Sequence, residues 1–146
     1  MNNFRLDHAH HNYNTCEYLL NDGNHNDWVI TVAFYSAHHY FRYKNFPLEF
    51  KNEDDTFVTF DKFCSFYGIE GKHGQLSELI REYVDNNIYL MFREIKNECW
   101  NCRYTNYKVS NDRAKNAFEV ITKIKAYCES KKNNIRTSDR DSIPMY

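Results

Sequence analysis

Apolar positions recur at helical spacing along most of the chain, and no stretch alternates with period two long enough for a convincing strand. A first helix is expected over residues 5–21, with Leu6, Tyr13, Cys16, Leu19 and Leu20 on one stripe. Asp22-Gly23 stops it, because glycine takes the left-handed conformation that ends many helices. A turn follows through Asn24–Asn26, and Asn26 or Asp27 caps a second helix over residues 27–44. That helix is the strongest segment. Val29, Val32, Ala33, Ser36, Ala37, Tyr40 and Phe41 form one face, and Trp28, Val32, Tyr35 and His39 form an adjacent stripe with polar tips. It is apolar over most of its circumference, which predicts a central position in a bundle. Its small residues Ala33, Ser36 and Ala37 let a neighbouring helix approach closely.

Beyond Pro47 the pattern loosens. Phe57, Phe60, Phe63, Cys64 and Tyr67 suggest one short helix, preceded by the acidic run Glu53, Asp54 and Asp55 at its positive end. Gly68, Gly71 and Gly74 mark a connection around Lys72-His73. A long helix is expected over residues 75–101, with Leu76, Leu79, Ile80, Tyr83, Ile88, Met91, Phe92 and Ile95 inward and a kink near Asp85. Ser110, Asn111 and Asp112 cap a last helix over 111–130, faced by Ala114, Ala117, Phe118, Ile121, Ile124 and Cys128. The expected fold is therefore all-α, an up-and-down bundle of four to five helices within residues 1–131, with a polar, disordered tail over 132–146.

Length and composition narrow the function classes. One hundred and forty-six residues make one domain. No apolar run approaches the roughly 20 residues of a membrane span, and the polar start MNNFRLDHAHHN carries no secretory signal, so a cytoplasmic protein without membrane contact is expected. A formal net charge of −1 provides no whole-chain basic field, so any RNA contact must come from a local patch and be weak and salt-sensitive. Aromatic residues are 17% of the chain, so rings must fill a core short of Leu, Val and Ile. The five cysteines, Cys16, Cys64, Cys99, Cys102 and Cys128, are expected as reduced thiols. Cys99 and Cys102 share a helix face and read as core packing. A zinc site would need a second ligand pair, and none follows, so no metal or cofactor is expected.

Three polar marks punctuate the apolar pattern: Asp27-Trp28 with Ala33-Phe34-Tyr35-x-Ala37-x-His39-Tyr40, then Lys72-His73, then Arg103-Tyr104. Together, over about residues 10–128, they resemble the HEPN superfamily of small helical bundles, and within it the bacterial single-domain members. The resemblance implies a bundle that dimerises. It also implies a metal-independent endoribonuclease of toxin–antitoxin or phage-defence systems, or a silent relative that binds nucleotides or a protein partner such as a cognate antitoxin. Active members carry R-x4-6-H, and Arg103 is the positional match. Its partner would fall at Lys108, Val109 or Ser110, and none is histidine. Arg5 with His10 or His11 fits the same spacing at the wrong end of the chain and reads as chance.

The chemistry behind the motif is direct. Metal-free RNA cleavage uses the 2′-hydroxyl as internal nucleophile, which needs a proton carrier near pH 7 and a cation for the phosphorane oxygens. The candidate catalytic set is Arg103 for the phosphate with His39 or His73 for proton transfer. Antiparallel neighbours can bring His39 to one of the other two, whereas a helix over residues 75–101 would be about 40 Å long and keeps His73 and Arg103 at its opposite ends. Tyr104, Tyr107 and Lys108 interleave rings with a cation and form the candidate substrate-binding run, suited to stacking single-stranded bases. The competing expectation is a non-catalytic dimerisation or partner-binding module using the small-residue or aromatic faces.

Overall fold

A computed structural model describes residues 3–45, 48–49, 56–57 and 84–130. Four α-helices account for most of them: α1 (Asn3–Asp22), α2 (Asn26–Asn45), α3 (Asn86–Tyr104) and α4 (Asn111–Ser130). Between α2 and α3, β1 (Leu48–Glu49) and β2 (Thr56–Phe57) pair antiparallel in a two-residue ribbon, Leu48 opposite Phe57. Phe57 therefore lies in an extended segment and not in the short helix expected there. The remainder of that helix, the 75–83 stretch, Cys64, His73 and the 132–146 tail lie outside the described residues.

Local chemistry sets the helix ends. Gly23 sits at φ 79°, and its N–H donates to Leu19 O at 3.1 Å, closing α1 in the left-handed conformation. Asn26 opens α2, but its side chain tethers instead of capping. Its amide donates to Val109 O at 3.1 Å and to Asn111 Oδ1 at 2.8 Å, so the α1–α2 turn is tied to the α3–α4 turn. Asp85 is extended (φ −50°, ψ 136°), and its carboxylate accepts from Asn87 N at 3.2 Å. This cap starts α3 at Asn86, where the sequence pattern suggested a kink within one longer helix. Ser110 caps α4, its hydroxyl accepting from Arg113 N at 3.2 Å.

Side-chain contacts fix an up-down-up-down order. Arg5 meets His39, Ser36 donates to Ala9 O at 2.8 Å, and Cys16 donates to Val29 O at 3.4 Å, so α1 and α2 run antiparallel. Glu98 with Arg113 and Glu94 with Asn116 set α3 against α4. His10 with Glu129 and Tyr13 with Thr122 set α1 against α4. The helix α2 packs on all three others. Ala33, Ser36 and Ala37 are fully buried, as close helix approach requires. Rings fill the core: Phe92 of α3 lies 5.7 Å from Phe34 and 5.2 Å from Phe41, centroid to centroid. Among the described residues no helix is long and apolar enough to cross a membrane.

Truncating the fully buried ring that α2 grips should be costly. Phe92→Ala is expected to lower unfolding stability by about 3–5 kcal/mol, read from chemical denaturation, while Lys123→Ala on the exposed side of α4 changes it by less than about 0.5 kcal/mol.

Candidate functional site

Most of α2 is covered, but one stripe is not. Trp28 is exposed, and Val32, Tyr35, His39 and Tyr43 are half-buried at helical spacing along the same side. This is the polar-tipped stripe of the sequence pattern, and it forms the floor of a seam. The helix α1 lines one side with His8 and Asn12, and α3 contributes Arg103 near its C-terminal end. Together with Trp28, Thr31, Val32, Tyr35 and His39 they enclose a groove of about 300 Å³. Residues separated by more than sixty positions, His39 and Arg103, thus line one groove.

The electrostatics of its floor follow from geometry. Arg5 Nη1 donates to His39 Nδ1 at 3.2 Å. A guanidinium only donates, so Nδ1 is bare and the neutral ring carries its proton on Nε2. The His8 ring stacks on His39 at 3.8 Å between centroids, with 23° between planes. Burial, then the neighbouring His8, Arg5 and Arg42, pull the His39 pKa down to about 4. His8 is lowered too, first by burial and then by Arg5. At neutral pH His39 is therefore a hydrogen-bond donor and not a proton reservoir. Arg103 is exposed, lies 5.8 Å from the centre of the Tyr104 ring, and has no carboxylate partner among the described residues. The arginine that does form a two-pronged carboxylate pair is Arg113, both of its bonds to Glu98 at 2.9 Å.

A second cavity, about 210 Å³, adjoins the groove and shares Tyr35 and Arg103 with it. Phe34 and Cys99 form its base; Lys96, Asn97, Trp100 and Tyr104 of α3 complete it. Trp100 and Tyr104 are both exposed, with ring centroids 4.5 Å apart. Tyr104, of the expected substrate-binding run, lies here. Tyr107 and Lys108 are exposed in the α3–α4 turn and line neither of these two cavities.

Other sequence candidates separate. His10 turns away from Arg5, meeting Glu129 at 2.7 Å on the α4 side, so the Arg5–His10 spacing makes no shared site. His8 and His10 diverge as well, His8 stacking on His39 and His10 meeting Glu129, and among the described residues no group of histidine, cysteine and carboxylate side chains converges on a metal position. Cys99 and Cys102 are buried, and burial raises both thiols, Cys102 to about 11, so they are protonated at neutral pH. His73 lies outside the described residues. Sequence reasoning missed Arg5, His8 and Asn12. Their signal was their spacing, which puts all three on one stripe of α1, but the crowd of histidines there drew attention to the wrong pairs.

No protein-family model, curated protein or solved structure matches the chain.

The His39 assignment predicts its titration. Its imidazole signals should stay those of the neutral Nε2–H form until pH nears 4, and Arg5→Ala should move the midpoint up, both read by NMR. The folded pKa lies below the ordinary 6.5, so the unfolded chain takes the proton first. This histidine's share of stability is then intact above about pH 6.5 and is lost as pH falls toward 4.

Proposed function

We propose that this chain is an HEPN-like, RNA-associated protein whose α1–α2–α3 seam holds single-stranded RNA. The observation that carries the reading is the groove lined both by an exposed guanidinium, Arg103, and by a neutral donor, His39, together with exposed and half-buried rings. A phosphodiester needs such donors, and unstacked bases need ring faces. Arg103 takes the phosphate oxygens through its planar fork. His39 Nε2–H supplies a further donor, held in orientation by Arg5 and by the His8 stack. With a net charge of −1 on the whole chain, this local patch has to provide the attraction. The setting in toxin–antitoxin or phage defence, a homodimer, a cognate antitoxin and a cytoplasmic location belong to the same proposal and rest on the HEPN resemblance.

A metal-independent endoribonuclease is the second reading, favoured by the pairing of two imidazoles with Arg103 in one groove. In that chemistry the 2′-hydroxyl attacks the adjacent phosphorus and displaces the 5′-oxygen of the next nucleotide, Arg103 offsets the gathering charge, and His8 takes the hydroxyl proton and returns one to the leaving oxygen, because the one free nitrogen lone pair of His39 is already held by Arg5. The missing histidine at 108–110 weighs toward binding without cleavage.

Binding of a single-stranded RNA oligomer should weaken as salt rises. Arg103→Ala should lower affinity about tenfold and reduce the salt slope by about one, with helical circular dichroism unchanged. Incubation with RNA in EDTA separates the two readings. Ends bearing 2′,3′-cyclic phosphate that disappear in Arg103→Ala and His8→Ala establish the enzyme, and bound but intact RNA establishes the binder. Absence of any RNA binding by the wild-type chain at low salt rejects both.

A further inference from the structure

Where the first turns of α1 meet the final turns of α2, positive and protonatable groups gather without a carboxylate. Arg5 Nη1 holds His39 Nδ1 at 3.2 Å, and the His8 ring lies on His39 at 3.8 Å. The described charges that act on these two rings are Arg5 and His11 of α1 and Arg42 of α2, and the His38 ring stands 6.1 Å from His39. From α3, Arg103 joins the groove that both rings line. Among the described residues no Asp or Glu pairs with Arg5, His8, His39 or Arg103. Three other contacts show the usual arrangement: His10 meets Glu129, His25 meets Asp22, and Arg113 meets Glu98. Groups of one sign pressed together oppose each other's charging, and an anion among them reverses that effect.

We propose that the Arg5–His8–His39 end of the groove binds a phosphate monoester, the group that ends an RNA strand or is carried by a free mononucleotide. At a strand end the proposal rests on the RNA reading above; on a mononucleotide it stands apart from it. A monoester carries close to two charges at neutral pH and three terminal oxygens, more than an internal phosphodiester offers. The diester suits Arg103 alone, through its planar fork. The monoester suits the other end. There His8 and His39 Nε2–H line the groove as donors, and Arg5 adds a permanent charge and keeps further N–H groups after its bond to His39.

The two ends are separate places. Arg103 lies near the α3–α4 turn, which Asn26 ties to the start of α2 beside Trp28. From Trp28 to His39 is about 16 Å along α2 at the helical rise per residue.

Inorganic phosphate is the first probe. It should raise the NMR titration midpoint of His8 by about half a unit or more relative to chloride at equal ionic strength, because a nearby anion favours the protonated ring. A nucleoside 5′-monophosphate should do the same and the bare nucleoside should not. The second probe is one hexameric single-stranded RNA bearing a 5′-phosphate, a 3′-phosphate, or hydroxyls at both ends. A phosphorylated form should bind about tenfold tighter than the hydroxyl form. Arg5→Gln keeps a donor for His39 without the charge and should cut that advantage below about threefold, as should His8→Gln. Arg103→Ala should weaken all three strands alike and keep their ratio. Circular dichroism checks that each variant keeps its helices.

Equal affinity for the three strands assigns the monoester to the mononucleotide where the monophosphate moves the His8 midpoint, and overturns the site where it does not, leaving the RNA reading standing. A midpoint that moves with phosphate while no strand binds supports the site and overturns the RNA reading. A midpoint that moves as far in chloride, or a strand advantage that survives both Arg5→Gln and His8→Gln, shows an adventitious ion only and overturns the site.

Discussion

The structure depends on the burial of α2. Thirteen of its twenty residues are buried, among them backbone-hugging Ala33, Ser36 and Ala37 and the large rings of Tyr40 and Phe41. A helix with that much apolar circumference has to be surrounded, and α1 and α3, antiparallel to it, and α4, parallel to it, do so. Three neighbours cannot cover a cylinder completely when each is held at its own contact line. Between α1 and α3 the side of α2 that runs through Trp28, Val32, Tyr35 and His39 remains partly open, and the seam is what that packing leaves.

The seam's chemistry follows from the same geometry. Close packing of α1 on α2, marked by the Ser36–Ala9 hydrogen bond, delivers Arg5 and His8 to His39. That contact fixes the tautomer of His39 and, with burial, keeps it uncharged. On the opposite side α3 brings Arg103 to the groove while Glu98, one turn and a fraction earlier, is occupied by Arg113 of α4. The two arginines illustrate how position decides role. One is neutralised in an interhelical pair; the other is left facing solvent beside rings.

Much of the fold was legible in the sequence because helical periodicity is a local signal. The bounds of α2 and α4 follow from the apolar stripes and from Ser110, and the stripe that became the groove floor could be read as an adjacent polar-tipped face. What periodicity does not carry is which stripe of one helix meets which stripe of another. For that reason His39 was singled out but its partners were not. His8 and Asn12 acquire meaning only once α1 is laid antiparallel on α2. Asn26 misled in a similar way, since a good capping residue was spent on a tether to a turn more than eighty residues distant. The break before α3 left only a weak mark, because an extended Asp85 interrupts a pattern whose apolar residues continue on both sides.

The central claim is that three helices pool their polar side chains along one side of α2. Backbone amide chemical-shift mapping with a short single-stranded RNA tests it most directly. The account predicts perturbations gathered on His8 and Asn12 of α1, Tyr35 and His39 of α2, and Asn97 to Tyr104 of α3, with the exposed lysines Lys115 and Lys123 of α4 unmoved. Perturbations centred on α4, or spread evenly over the basic residues of the surface, would contradict it.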